Sequence, residues 1–236
     1  ASTFAMFATG RAFEVIRNSV CYPKLNVKIA ATHAGITVGE DGGSHQSVED
    51  ISLMRSIPNM TVVVPADGIE AEKMIFAAAE FDGPMYIRLG RSAVPTIFEE
   101  DYNFEIGKGV VLRDGNDATI IACGIMVNEA LIAADMLKEE NINARVINMS
   151  TIKPIDTDLI IKAAKETKAI VTAEEHSVIG GLGSAVSEVV SESNPIIVKK
   201  VGMNDCFGES GTPSELLEKY GLTAKNIVEK VKEALN

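Results

Sequence analysis

The chain has 236 residues, of which 46% are hydrophobic and 23% charged, and its formal net charge is −11. That much apolar material supports one large domain or two of ordinary size and excludes a disordered chain. The acidic balance argues against non-specific attraction to nucleic acid or to an anionic membrane, and no apolar run is long enough to span a bilayer. Cys21, Cys123 and Cys206 are odd in number and widely spaced. Each reads as a small core residue rather than part of a disulfide or zinc framework, which points to a reducing cytoplasm. The first residue is Ala1, without an initiator Met or a signal peptide, and the chain is read as a cleaved product or a partial chain.

Taken in order, Phe4, Phe7, Phe13 and Ile16 recur at helical spacing and predict a helix over 3–20. Pro23 and Asn26 end it before a strand at 27–31. A glycine-rich polar stretch runs from His33 to Ser47, a short helix follows over 48–55, and 61–64 is a β-branched strand. Asp67 and Glu70 stand at capping-box spacing before a helix reaching Glu80. Residues 85–89 form a further strand ending in Arg88-Leu-Gly-Arg91. Pro95 and the acidic run Glu99-Glu-Asp101 mark a connector with one short strand at 109–112, and a domain boundary is placed near residue 105.

The second half begins a fresh alternation. Strands are predicted at 118–122, 144–148, 169–173 and 196–200, with helices between them, one starting at Pro154-Ile-Asp156. Thr212-Pro-Ser-Glu215 opens a helix with Pro at its first position and Glu closing the box, and a charged amphipathic helix ends the chain. Short β-branched strands separated by helices predict two α/β domains, 1–105 and 106–236, with mainly parallel sheets flanked by helices.

Several local patterns carry chemistry on one reading and none on another. Gly180-Gly-Leu-Gly183 resembles a dinucleotide fingerprint but lacks the third glycine at the required spacing; glycines that let a helix start close to a sheet explain it as well. His33, Glu40, Asp41 and His45 do not have zinc spacing, and no cysteine is near. The stretch they occupy is either a solvated loop or a site shaped for close approach of a ligand, at the end of a strand where open α/β sheets place their sites. Arg88 and Arg91 flank a strand end, and residue types leave open whether they grip a phosphate or lie idle on the surface. Phe4 and Phe7 by themselves read as core.

Three segments together carry a resemblance. Ser2-Thr-Phe-Ala-Met-Phe-Ala-Thr-Gly-Arg-Ala12, Ala31-Thr-His-Ala-Gly-Ile-Thr-Val-Gly-Glu-Asp-Gly-Gly-Ser-His-Gln46 and Pro58-Asn-Met-Thr-Val-Val-Val-Pro-Ala-Asp67 resemble the pyrimidine-binding domain of transketolases. The His-x₇-Asp-x₃-His pattern of His33, Asp41 and His45 is its most specific part. Residues from about 109 onward resemble the C-terminal domain of that family, whose role there is largely structural and in the dimer interface. Deoxyxylulose-phosphate synthases and the β subunits of 2-oxoacid dehydrogenases share the fold, with loops that fit less well.

The resemblance implies the C-terminal half of an enzyme of the pentose phosphate pathway. It would move a two-carbon ketol unit between sugar phosphates with thiamine diphosphate and Mg²⁺. On the same ground Phe7 stacks on the aminopyrimidine ring and Phe4 completes that wall. His45 and Asp41 hold hydroxyls of the donor sugar, with Asp41 expected to be buried between the histidines. His33 and Arg91 bind the substrate phosphate, with Arg88 as the weaker candidate. Gly10 stands where many transketolases carry a third aromatic.

The glutamate that activates the aminopyrimidine lies upstream of Phe4 in that family, before a strand expected to be missing here; Glu14 cannot replace it by position. The metal- and diphosphate-binding motif belongs to a separate N-terminal domain or subunit, so no metal ligand is expected in this chain. The partners implied are that N-terminal part, sugar phosphates and a second copy of the chain in a homodimer. Without the proton relay, turnover by the chain alone is expected to fall by several orders of magnitude. Two other readings remain at this point: a non-catalytic dimerisation module, and a 2-oxoacid dehydrogenase β subunit.

Overall fold

The computed structural model describes residues 1–236. Two sheets organise the chain. The first contains β1 (Lys28–Ala31), β2 (Thr61–Val63), β3 (Met85–Arg88) and β7 (Thr151–Lys153) in the order β1-β3-β2-β7. The second contains β4 (Val110–Arg113), β5 (Ala118–Ala122), β6 (Ala144–Asn148), β8 (Ala169–Ser177) and β9 (Ile197–Met203) in the order β4-β6-β5-β8-β9. Strands β1, β2 and β3 pair in parallel, as do β5, β6, β8 and β9; β7 and β4 are the antiparallel members, against β2 and β6.

Helices cover the sheets as the periodicity predicts. They are α1 over 7–21, α2 (Asp50–Ser56), α3 (Gly68–Glu80), α4 (Met126–Glu139), α5 (Thr157–Glu166), α6 (Leu182–Glu192), α7 (Pro213–Lys219) and α8 (Ala224–Leu235). In α1 the turns Phe7–Arg11 and Ile16–Cys21 have π-type hydrogen bonding, which re-aims side chains relative to a straight α-helix. Ala5, Ala8, Ile16 and Cys21 of this region face the core, whereas Phe4 and Phe7 stay half-buried. Their reading as plain core is thereby corrected.

Ahead of α1 the chain forms no strand of its own, only an extended pairing with β1. Residues 1–4 run extended beside β1: Ala30 and Thr32 donate their amides to the Ala1 and Thr3 carbonyls, at 2.9 and 3.0 Å, and Ala5 donates to Thr32 at 2.8 Å. A parallel bridge joins Phe4 to Thr32. This pairing fixes the start of α1 over the end of β1.

Other departures have local causes. The segment 151–153 is a strand, and α5 begins after Pro154-Ile with Asp156 as its N-cap, accepting the Leu159 amide at 3.1 Å. Periodicity hides β7 because three residues are too few to show a period. Glu70 forms only half of the expected box. Asp67 accepts the Glu70 amide, but the Glu70 carboxylate turns inward to Ala66, Tyr102 and Asn148. Cys206 is exposed rather than buried, unlike Cys21 and Cys123.

The two halves share their cores. One apolar cluster joins Ile51, Met54, Met60 and Tyr86 from the first half to Ile121, Ile147, Ile160, Ile170 and Leu182 from the second. Another buries Ile36 and Val48, at either side of the glycine-rich loop, among residues of β5, α4 and α8. Strand β7 adds a polar fastening: the Lys153 ammonium reaches the carbonyls of Arg55 and Ile57 at the end of α2, at 2.9 and 2.6 Å. Burial lowers the Lys153 pKa. The loop from His33 to Ser47 is therefore built on both halves of the chain.

Candidate functional site

Strands β1 and β3 are parallel neighbours, so their C-terminal ends deliver Thr32-His33 and Leu89-Gly-Arg91 to the same edge of the sheet. The loop that leaves β1 returns close to its origin. Ala34 donates to Leu89 at 3.2 Å and Gly35 to Ser47 at 2.8 Å, closing its neck. Between these points Ile36–Asp41 forms a 3₁₀ segment interrupted at Gly39, where φ is +83°. Gly35 and Gly42 have φ of +84° and +74°, values that favour glycine and explain why the stretch is rich in it. His33 also has positive φ, +59°. A bulky residue in that region carries a backbone cost, of the kind found at functional sites.

The four rings singled out in the sequence come together. Phe4 stacks on His33 with centroids 3.9 Å apart, and Phe7 meets His45 edge-on at 5.5 Å. Phe4 and Phe7 lie 6.1 Å apart and nearly parallel. In each histidine Nδ1 is engaged by the hydroxyl of the preceding residue: Thr32 Oγ1 for His33 and Ser44 Oγ for His45, both at 3.0 Å. Neither Nε2 has a hydrogen-bond partner in the chain, which leaves both able to bind a hydroxyl or an anionic oxygen. The Arg11 guanidinium sits 5.3 Å from the centre of the Phe7 ring. Gly10 is exposed, and a β-carbon there would meet only the Met6 sulfur, at 3.5 Å. The surface beside Phe7 is open.

The remaining predicted residues divide. Arg91 arches over the 3₁₀ segment, donating to the Val38 carbonyl and to Glu40 at 3.3 Å, and its side chain stays substantially exposed. Asp41 is exposed and hydrogen-bonds to neither histidine, so the expected buried carboxylate between the rings is not found. Arg88 lies inside. Its guanidinium donates to Asp50 at 2.7 and 3.2 Å and to the Glu175 carbonyl at 2.8 Å. Tyr86 donates to the same carboxylate at 2.7 Å. Burial works to raise the Asp50 pKa, but Arg88, His176 and the hydrogen bonds outweigh it and hold the carboxyl below its usual range. Burial likewise opposes the charge on Arg88, and Asp50 overrides it, so that guanidinium stays charged. With its fork committed to Asp50, Arg88 is a structural residue in this structure rather than a phosphate ligand.

The glycine run at 180–183 holds an internal carboxyl group. The Glu174 carboxylate accepts the Leu182 and Gly183 amides at the start of α6, at 2.7 and 2.8 Å, where a phosphate would sit in a nucleotide site. A β-carbon on Gly181 would lie 2.0 Å from that carboxylate. The glycines make room for it.

Sequence reasoning missed three residues that support the loop: Glu175, Gln46 and Asp50. The strand predicted at 169–173 runs on to Ser177, so Glu174, Glu175 and His176 lie buried within β8. Two acids and a histidine directly after an apolar strand are the signal that could have shown a buried polar layer. Gln46 Nε2 donates to the Ile36, Gly39 and Glu209 carbonyls at 3.1, 3.3 and 2.9 Å, joining the loop to the segment before α7.

A paired set of α/β layers, with a glycine-shaped loop of histidines and aromatics at the end of parallel strands, defines a ligand-binding α/β protein. Comparison with known proteins places the chain in a family. Residues 1–96 match the model for the transketolase pyrimidine binding domain, and 107–227 match that for the transketolase C-terminal domain. A protein of Methanocaldococcus jannaschii described as a transketolase C-terminal section is 54% identical, over 100% of this chain and 74% of its own length. The 6-deoxy-6-sulfo-D-fructose transketolase subunit of a Clostridium species is 46% identical over 96% of this chain and 70% of its own. A solved structure described as a split gene transketolase, inactive β4 tetramer, superposes with a TM-score of 0.92 at 59% identity, covering 100% of this chain and 75% of that one. The chain belongs to the transketolase family.

That family implies thiamine diphosphate. The Phe4–Phe7 wall beside the open surface at Gly10 fits its aromatic ring. No group of three or more His, Cys, Asp or Glu side chains is arranged to hold a metal ion. The residues present thus fit the ring end of the cofactor.

Proposed function

We propose that this chain is the C-terminal part of a transketolase assembled from separate polypeptides, and that it supplies the pyrimidine-ring wall and the sugar-recognition loop. The observation that carries the reading is the convergence of Phe4, Phe7, His33 and His45 in one patch with both Nε2 atoms free. When bound, thiamine diphosphate supplies the carbanion chemistry, and the protein supplies orientation and charge. Phe7 would hold the ring by stacking, with Phe4 backing the wall. His45 would orient a sugar hydroxyl through Nε2, with the Asp41 carboxylate reaching it from the exposed end of the 3₁₀ segment. His33 and Arg91 would take the substrate phosphate, Arg91 exchanging Glu40 for that stronger anion.

Domain boundaries near 105, Mg²⁺ held by the N-terminal part, pairing of two copies and a cytoplasmic setting belong to the same reading. The structure described as an inactive β4 tetramer supports a need for a partner, since it concerns a chain 59% identical to this one. Which sugars are used is open within the family: relatives include transketolase subunits described for 6-deoxy-6-sulfo-D-fructose and apulose 4-phosphate. The test is to assay the chain with and without the N-terminal subunit, with thiamine diphosphate, Mg²⁺, xylulose 5-phosphate and ribose 5-phosphate, and with the other two sugars as donors. Ketol transfer only in the two-subunit mixture is the expected result. Turnover by the chain alone, or none in the mixture with any donor, would refute the reading.

A further inference from the structure

The second half of the chain reaches the sugar-recognition loop at two places. Glu175, at the end of β8, is buried, and its Oε1 accepts the Thr37 amide at 2.7 Å. Its carboxyl group fills the space beside Gly35, where a β-carbon would lie 2.2 Å from the carboxyl carbon. Gly35 precedes the 3₁₀ segment as its N-cap and Thr37 lies in its first turn, two and four residues after His33. Farther along, the segment before α7 packs against the loop's other glycines. A β-carbon on Gly43 would meet the Gly208 carbonyl at 2.6 Å, and one on Gly42 would meet Ser210 Oγ at 2.6 Å. Gln46, next to His45, ties this contact through the Glu209 carbonyl.

We propose that Glu175 is a positioning residue for sugar recognition: by seating the Gly35–Thr37 turn from the far half of the chain, it sets where His33 and His45 stand. Three features favour this over plain packing. A carboxylate is an unusual choice for an enclosed site, and burial raises its pKa, with Arg88 and the Thr37 bond opposing the shift. Its one backbone partner belongs to the loop and not to its own strand. Its space is kept by a glycine whose φ of +84° no ordinary residue adopts easily. The strand that carries Glu175 is anchored below by Arg88, which donates to the Glu175 carbonyl and so joins it to Asp50. The C-terminal half therefore acts on substrate placement as well as on assembly.

The inference rests on the function proposed above, and its test separates the two. In the two-subunit enzyme with xylulose 5-phosphate, Glu175→Ala should raise the donor KM roughly 10- to 100-fold, since small misplacements of recognition groups cost that much. The concentration of thiamine diphosphate for half-activation should change much less than the donor KM, because Phe4 is held by its pairing beside β1 and Phe7 by α1. Glu175→Gln keeps an acceptor for the Thr37 amide and should restore the donor KM. A folded Glu175→Ala enzyme with wild-type donor KM would overturn the proposal. If Glu175→Ala does not fold, Glu175→Asp, whose shorter side chain falls short of Thr37, should show the same split, and an unchanged KM there is equally fatal. If the wild-type mixture transfers no ketol group, the functional reading fails first. The positioning role is then read on the chain alone by NMR, with the three histidine ring signals assigned through single His→Gln variants. Glu175→Asp should shift or broaden those of His33 and His45, and unchanged signals would overturn the proposal.

Discussion

The Arg88 guanidinium and the Asp50 carboxylate meet at 2.7 Å in a place where Asp50 has no exposure and Arg88 only 6%. The pair joins the end of β3 to the start of α2, beneath the loop that carries the two site histidines. Removing one member strands the other in the interior. Arg88→Met should therefore destabilise the fold by about 3–5 kcal/mol, whereas the double variant with Asp50→Leu should recover much of that loss. Denaturant unfolding of the single and double variants, compared as a cycle, measures it.

Buried carboxyls of opposite tendency give the chain a distinctive response to pH. Burial raises Glu70 and Glu175 above their ordinary value of 4.5. Between that value and the higher folded one, the folded chain holds more protons than the unfolded chain, so stability falls as pH rises through the interval. Asp50 is held below its ordinary 3.8, so its contribution is present above that value and is lost as pH falls through the folded pKa. The melting temperature should rise as pH falls toward 4.5 and then drop as it falls below 3.8. Glu70→Gln should remove its share of the rise.

Asp41 is exposed and unbonded, whereas the rings near it are packed. Asp41→Ala should leave the melting temperature unchanged and, in the two-subunit enzyme, relax discrimination between donor sugars that differ in hydroxyl configuration. Comparing kcat/KM for two such donors checks it. A loss of stability would mean that the carboxylate has a structural partner instead.

Phe7 offers a half-buried ring beside an open surface. Phe7→Ala should weaken thiamine diphosphate by about 0.5–1.5 kcal/mol, a few-fold to tenfold in the activating concentration. The donor KM should change less. Cofactor titrations of the assembled enzyme read the difference.

At the start of α6 the Glu174 carboxylate satisfies two buried amides. Glu174→Ala leaves the Leu182 and Gly183 donors without an acceptor and should cost about 1–3 kcal/mol. Gly181→Ala should also destabilise, because its methyl group would collide with the same carboxylate. Thermal unfolding of both variants tests the arrangement.

The alternation of strands and helices and the capped starts of α3 and α7 are legible in the amino-acid sequence alone. The sequence also pointed to the loop with His33 and His45 and, through three motifs, to the family. These are local properties: a period, a cap or a glycine acts over a few residues and can be read there. Long-range packing settled which arginine stays exposed, since Arg88 and Arg91 have the same chemistry and differ in whether Asp50 lies within reach. Tertiary contacts likewise brought residues 1–4 beside β1 and β7 beside β2, and packed Phe4 on His33. They left Asp41 in solvent. Glu175 and Gln46 were invisible for the same reason, because their partners, Thr37 and Glu209, lie more than a hundred residues away in the chain. Long-range burial assigns such groups their roles, and burial depends on every element that packs around them.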